Sequence, residues 1–164
     1  MYAARLCHAH GVSGGASTTA ELMTLERVSV LHRAPLFAEV PGHALVAVAR
    51  LHEEVHVDAG ATIIEQGALE DWLFVVAAGS VRVHVGDRTL AVVDAGGVVG
   101  ELAVLAPAPR AASATAVEAS LLLRLRRGPF EELLEVRPEI ARAVIHTLAR
   151  LLQAADHGPE STDA

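Results

Sequence analysis

Residues 72–93 read WLFVVAAGSVRVHVGDRTLAVV, and this stretch decides the fold class. Trp72 to Val76 form a continuous apolar run, the pattern of a strand covered on both faces. Gly79 punctuates it, after which Val81, Val83 and Val85 alternate with Arg82 and His84 at the two-residue period of a half-buried strand. Gly86-Asp87 offers a tight reversal, and Leu90 to Val93 supply the return strand of a hairpin. A helix of period 3.6 cannot keep Arg82 and His84 on one side and three valines on the other.

The strand pattern extends in both directions. Upstream, Val55 and Val57 alternate with His56 and Asp58, Ala59-Gly60 turns, Ile63-Ile64 follows, and Gly67 turns again. Downstream, residues 112–119 alternate loosely, and residues 120–126 are apolar with Arg124 and Arg126 on one face, where alternation reads as a solvated edge. Helical spacing flanks this region. Leu22, Leu25 and Val28, then Leu36 and Phe37 after Pro35, form a helical preface that resumes at residues 44–51 beyond Pro41-Gly42. At the other end Pro129 suits a first helical turn, and Phe130, Leu133, Leu134 and Val136 give one apolar face. Pro138 opens a second helix, striped by Ile140, Val144, Leu148, Leu151 and Ala155. The expected architecture is mainly β with flanking helices, an eight-stranded, jelly-roll-like β-roll with N-terminal helices before it and two helices after it.

Composition agrees with one soluble globule. The chain has 164 residues, 52% hydrophobic, with one cysteine and a formal net charge of -7. That apolar content excludes a disordered chain, and the single Cys7 excludes an internal disulfide framework, as expected of a cytoplasmic protein. The acidic balance argues against a non-specific grip on nucleic acid. The most apolar stretch, residues 89–109, carries Asp94, Glu101, three glycines and two prolines, so no membrane span is expected. Residues 1–20 lack the apolar run of a signal peptide and read as a flexible leader, and residues 156–164 as a flexible tail. Residues 21–155 form the domain, divided into a preface at 21–52, the β-roll at 53–127 and the closing helices at 128–155.

The chemistry is concentrated in residues 99–112, VGELAVLAPAPRAA. Gly100 lets a ligand approach the backbone, and residues 101–105 can form one helical turn whose free N–H groups face an anion. Arg110 adds a planar, permanently charged fork that meets two phosphate oxygens, each charge-assisted bond contributing roughly 1.5 to 3 kcal/mol. Glu101 beside an anion makes sense if its carboxylate accepts a sugar hydroxyl and a nearby arginine steadies it. A cradle, an arginine and a hydroxyl acceptor describe a nucleotide site.

In this spacing the segment resembles the phosphate-binding cassette of the cyclic nucleotide-binding domain of catabolite-activator-type regulators, kinase regulatory subunits and gated channels. Val99-Gly100-Glu101, Ala103-Val104 and Arg110-Ala111-Ala112 with Ala114 and Ala116 carry the likeness, and so do residues 63–83, with Gly67 and Gly79 in place. It runs from about residue 25 to 152. One departure is Glu70, where the family usually has a small residue. The resemblance implies that Glu101 holds the ribose 2′-hydroxyl, that Arg110 pairs with the cyclic phosphate, and that amides near Leu102, Ala103 and Ala111 complete its shell, with Val99 against sugar or base. Gly100 and Ala112 complete the expected site. It further implies a preference for cyclic AMP over cyclic GMP, because Ala111 offers no hydroxyl to guanine. Residues 130–136 would be the hinge and 140–155 the lid, with Leu151 or Leu152 capping the base. The implied role is sensory, with no catalysis, no metal and no cofactor beyond the ligand.

Other motifs carry less. Residues 52–56 spell HEEVH, which works as a zinc pattern only on a helix; in an extended chain the two histidines stand about 13 Å apart. His8 and His10 beside Cys7 lie in the leader, and His84 alone on its strand falls short of the paired histidines of a metal-binding cupin. Residues 94–100 lack the G-x-G-x-x-G spacing of a dinucleotide fold. DNA-binding members of the resembled family carry a helix-turn-helix after the lid, and only nine residues follow Ala155, so no DNA contact is expected. The competing reading is a degenerate roll that uses the residue 140–155 stripe to dimerise, or to hold an effector protein, without ligand.

Overall fold

A computed structural model describes residues 22–156. The leader, the tail beyond Asp156 and the Cys7, His8 and His10 cluster lie outside the described residues; Asp156, expected to open the tail, ends the last helix instead. Helices α1 (Thr24–Arg33) and α2 (Gly42–Leu51) flank a 3₁₀ turn at Pro35–Phe37, and eight strands follow: β1 (Glu53–Val57), β2 (Thr62–Ile64), β3 (Trp72–Ala78), β4 (Ser80–Val85), β5 (Arg88–Asp94), β6 (Val98–Val99), β7 (Ser113–Ala116) and β8 (Ser120–Arg126). A short α3 (Glu101–Leu105) lies between β6 and β7, and α4 (Arg127–Val136) and α5 (Pro138–Asp156) close the chain. The strands form two four-stranded antiparallel sheets, ordered β1-β8-β3-β6 and β2-β7-β4-β5. This is the expected eight-stranded roll with flanking helices.

The first sheet is buried on both faces, which explains why β3 and β8 read as continuous apolar runs. Leu73, Val75, Leu123 and Leu125 face the helices and join Leu31, Phe37, Leu45, Phe130 and Ile140 in one core. Their alternates Phe74, Val76 and Leu122 face the second sheet and pack with Ile64, Val81, Val99 and Ala114. In the second sheet β5 is an edge strand, and Leu90 and Val92 are exposed on it. Phe37 anchors the helical layer, with His52 and Phe130 each edge-on to it at 6.0 Å between ring centroids. Backbone crowding is sharpest at Gly79, where φ is +87° and a Cβ would fall 2.2 Å from the Ser120 hydroxyl.

Three expectations need correction. Strand β8 is interior, so Arg124 and Arg126 do not mark a sheet edge; Arg124 is ion-paired to Glu53 on β1 and lies over the Trp72 ring at 5.9 Å. Val136 is exposed, because the buried face of α4 turns on Phe130, with Leu133 and Leu134 packed beside it. The buried stripe of α5 runs through Ile140, Ala143, Val144 and Thr147, whereas Leu151 and Leu152 emerge into solvent. The last turns extend past the surface that covers the first two.

Candidate functional site

β6 belongs to the first sheet and β7 to the second, so residues 100–112 cross from one sheet to the other. The crossing walls a cavity of about 270 Å³, near the lower end of the range for small-molecule pockets. All eight residues expected at the site (Val99, Gly100, Glu101, Leu102, Ala103, Arg110, Ala111 and Ala112) line this one cavity. Ile64, Val83, Val98 and Ala114 add apolar wall, and Ser113 adds a hydroxyl that accepts from the Gln66 amide at 3.0 Å. Sequence reading missed these five as lining residues. For Val83 and Ala114 strand alternation held the signal, since both point to the inter-sheet side.

Arg110 is the centre of the geometry. Its backbone is pinned on both sides to the turn after β2: its amide donates to the Ala68 carbonyl at 3.0 Å, and its carbonyl accepts from the Gly67 amide at 2.8 Å. The residue is only 6% exposed. Nε donates to Glu70 Oε2 at 3.1 Å, Nη1 to the Gly100 carbonyl at 3.1 Å, and Nη2 to the Trp72 carbonyl. A guanidinium has five N–H groups, so these three bonds fix its plane and leave two donors, one on each terminal nitrogen. Gly100 permits the arrangement: it caps α3 at φ +81°, and a Cβ there would sit 2.5 Å from Arg110 Nη1 and 2.9 Å from Ile64 Cδ1. Only a residue without a side chain fits that corner.

Glu70 is the residue that sequence reading placed outside the cassette. Its φ is not positive, so the turn accommodates it without strain, and its carboxylate is the ion-pair partner of Arg110. A charge opposite to the cassette arginine, standing where the resembled family has a small residue, was the available signal. The arginine expected to steady Glu101 is not there: among the described residues no side chain pairs with its carboxylate. Leu102 is exposed at the rim while Ala103 and Val104 are buried. The Ala103 amide donates to the Gly100 carbonyl at 3.3 Å. Among the described residues none of α5 lines the cavity, so neither Leu151 nor Leu152 caps it in this conformation.

A family model described as the cyclic nucleotide-binding domain matches residues 54–137, just over half of the chain. The chain belongs to the cyclic nucleotide-binding domain family. The cyclic AMP receptor protein of Thermus thermophilus is 40% identical over 59% of this chain and 47% of that protein. The crystal structure of the N-terminal domain of a transcriptional regulator from Streptomyces coelicolor A3(2) superposes with a TM-score of 0.71, at 34% identity, covering 82% of this chain and 96% of that one. The regulatory domain of Toxoplasma gondii PKA, crystallised with cAMP, gives a TM-score of 0.62 at 30% identity, covering 67% of this chain and 44% of that one. This cyclic nucleotide-binding domain therefore spans less than half the length of the Thermus thermophilus protein. The family match and these relatives support a cyclic nucleotide-sensing module as the functional class.

The zinc reading of HEEVH does not survive the fold. His52 ends α2 and His56 is exposed on β1, and no cluster of three or more metal-ligating side chains occurs among the described residues. His52 is buried, with Nδ1–H donating to the Val48 carbonyl at 2.9 Å. Burial chiefly, and secondarily the charge of Arg27, lower its pKa to about 4 against the opposing hydrogen bond. His84 is engaged by the Gly86 carbonyl and the Thr115 hydroxyl. No described helix is long and apolar enough to cross a membrane.

Proposed function

We propose that this cyclic nucleotide-binding domain senses cyclic AMP in preference to cyclic GMP, acts in the cytoplasm, and transmits occupancy through α4 and α5. The observation that carries the reading is Arg110: a buried, pre-oriented guanidinium with two uncommitted N–H groups, beside an otherwise mostly apolar cavity. A planar guanidinium fork takes two oxygens of a cyclic phosphodiester, and the side chain loses little freedom because three bonds already hold it. Glu101, without a side-chain partner among the described residues, is available to accept a 2′-hydroxyl. Gly100 keeps the backbone low where the sugar enters, Val99 with Leu102 and Ala103 forms the apolar side, and Ala111, directly after the arginine, offers no hydroxyl to a guanine amino group. Glu101, Arg110 and the wall at 111–112 thus divide sugar, phosphate and base among them.

Signalling would use the position of α5. Its buried stripe packs on the N-terminal helical layer, and Glu39 holds Arg150 at 2.9 Å. Closure over a bound base would exchange these contacts for new ones, with coupling typically about 1 to 3 kcal/mol. No bond of the ligand is broken, so the role is not enzymatic. A second reading follows from Ile145 and Leu152, exposed at 63% and 68% one heptad apart on α5. They form a seam through which a second copy or an effector could bind without ligand.

Calorimetric titration with both cyclic nucleotides tests the first reading. Wild-type protein should bind cyclic AMP more tightly, and Arg110→Ala should lose about 2 to 5 kcal/mol of affinity. Equal affinities in wild type and variant would remove Arg110 from the site. Sedimentation with and without ligand tests the second reading; dimers that ignore cyclic AMP, together with undetectable binding, would favour it.

A further inference from the structure

The charge around the cavity is the wrong sign for a general anion site. Arg110 and Glu101 are the only ionised side chains lining it among the described residues, and Glu70 then places a second carboxylate 3.1 Å from Arg110 Nε. The local sum is one negative charge before any ligand arrives. Arg110 is 4% exposed at its side chain and Glu70 19%, so bulk water screens this pair only partly. Arg127, the other cation near Glu70, is engaged elsewhere: its Nη1 donates to the Ala103 carbonyl at 3.2 Å.

We propose that Glu70 is a specificity-determining residue: its carboxylate offsets the Arg110 charge, so the cavity accepts a singly charged cyclic phosphodiester and rejects doubly charged phosphomonoesters such as adenosine 5′-monophosphate. This rests on the cyclic nucleotide reading above. Glu70 occupies the Nε edge of the guanidinium, and a phosphate would occupy the two remaining donors. Two anions flanking one guanidinium stand roughly 7 Å apart. Coulomb repulsion at that separation weakens a monoanion by between about threefold, if water screens it fully, and about fiftyfold, at the effective dielectric of about 20 usual for half-buried pairs. Repulsion scales with ligand charge, so the factor for a dianion is about the square of the factor for a monoanion. Glu70 therefore costs some affinity for the cyclic ligand and much more for its hydrolysis product. A sensor gains from that discrimination, because the two molecules share base and sugar and differ at the phosphate.

The test is competition titration of cyclic AMP and adenosine 5′-monophosphate at pH 7.5, where the monoester is doubly ionised, its second ionisation lying near 6. Glu70→Gln removes the charge while its amide oxygen still accepts from Arg110 Nε–H. The expected result is about tenfold tighter cyclic AMP, about a hundredfold tighter monophosphate, and discrimination between them reduced about tenfold. Glu70→Gly provides a second variant: losing the Nε acceptor weakens both ligands alike, but the ratio should shift as for Gln. Thermal melts establish that each variant is folded. Unchanged discrimination in both variants, with cyclic AMP bound by wild type, overturns the role of Glu70 alone. No cyclic nucleotide binding by wild type overturns the sensor reading, and this inference with it.

Discussion

His52 offers a sharp test of the fold, because a buried neutral imidazole converts acidity directly into lost stability. Its pKa falls from 6.5 to about 4 on folding, chiefly through desolvation, and the ring lies edge-on to Phe37 at the junction of α2 and β1. The folded-state value is the lower one, so between pH 6.5 and 4 the unfolded chain binds a proton that the folded chain refuses. Stability is therefore complete above pH 6.5 and declines as the pH falls toward 4. At about 1.36 kcal/mol per pKa unit, the whole window is worth about 3 kcal/mol, and acidification from pH 7 to pH 5 removes about 2 kcal/mol of it. Glu53, held below its usual 4.5 mainly by its hydrogen bond from Arg124, loses its contribution only as the pH falls through 4.5 and stays outside the comparison of pH 7 with pH 5. Urea unfolding at pH 7 and pH 5 reads the loss as a shift in midpoint at constant slope. His52→Leu fills a similar volume, forgoes one hydrogen bond to Val48, and should flatten the dependence. A leucine variant as acid-sensitive as wild type would refute the reasoning, since another group would then have to carry the proton.

Two further outcomes follow from packing. Gly100→Ala should cost about 1 to 2 kcal/mol of stability from the left-handed backbone alone, and more affinity than that for a cyclic nucleotide, because the new methyl displaces Arg110 Nη1. Chemical denaturation beside calorimetry separates the two, and wild-type affinity in the variant would show that the corner is not crowded. Phe130→Ala empties the contact between α4 and Phe37, and a loss of about 3 to 5 kcal/mol is expected in thermal or urea unfolding. A loss below about 1 kcal/mol would mean that α4 packs more loosely than its buried ring implies.

The sequence by itself determined the element order and singled out the segment that lines the cavity. Continuous runs in β3 and β8, alternation in β4, and the prolines and glycines between elements specify local backbone choices, and those choices depend on neighbours in the chain. The cassette at residues 99–112 was legible for the same reason, since its residue types act within one short segment. What tertiary structure alone decided are relations between distant segments. Only folding brings Glu70, forty positions before Arg110, onto the guanidinium, and puts β8 in the interior of a sheet instead of at its edge. It also sets α5 against the N-terminal helices and leaves Leu151 and Leu152 uncovered. Side-chain charge and hydrophobicity are local properties, but what neutralises or covers them is a matter of three-dimensional neighbours, and no periodicity along the chain encodes that.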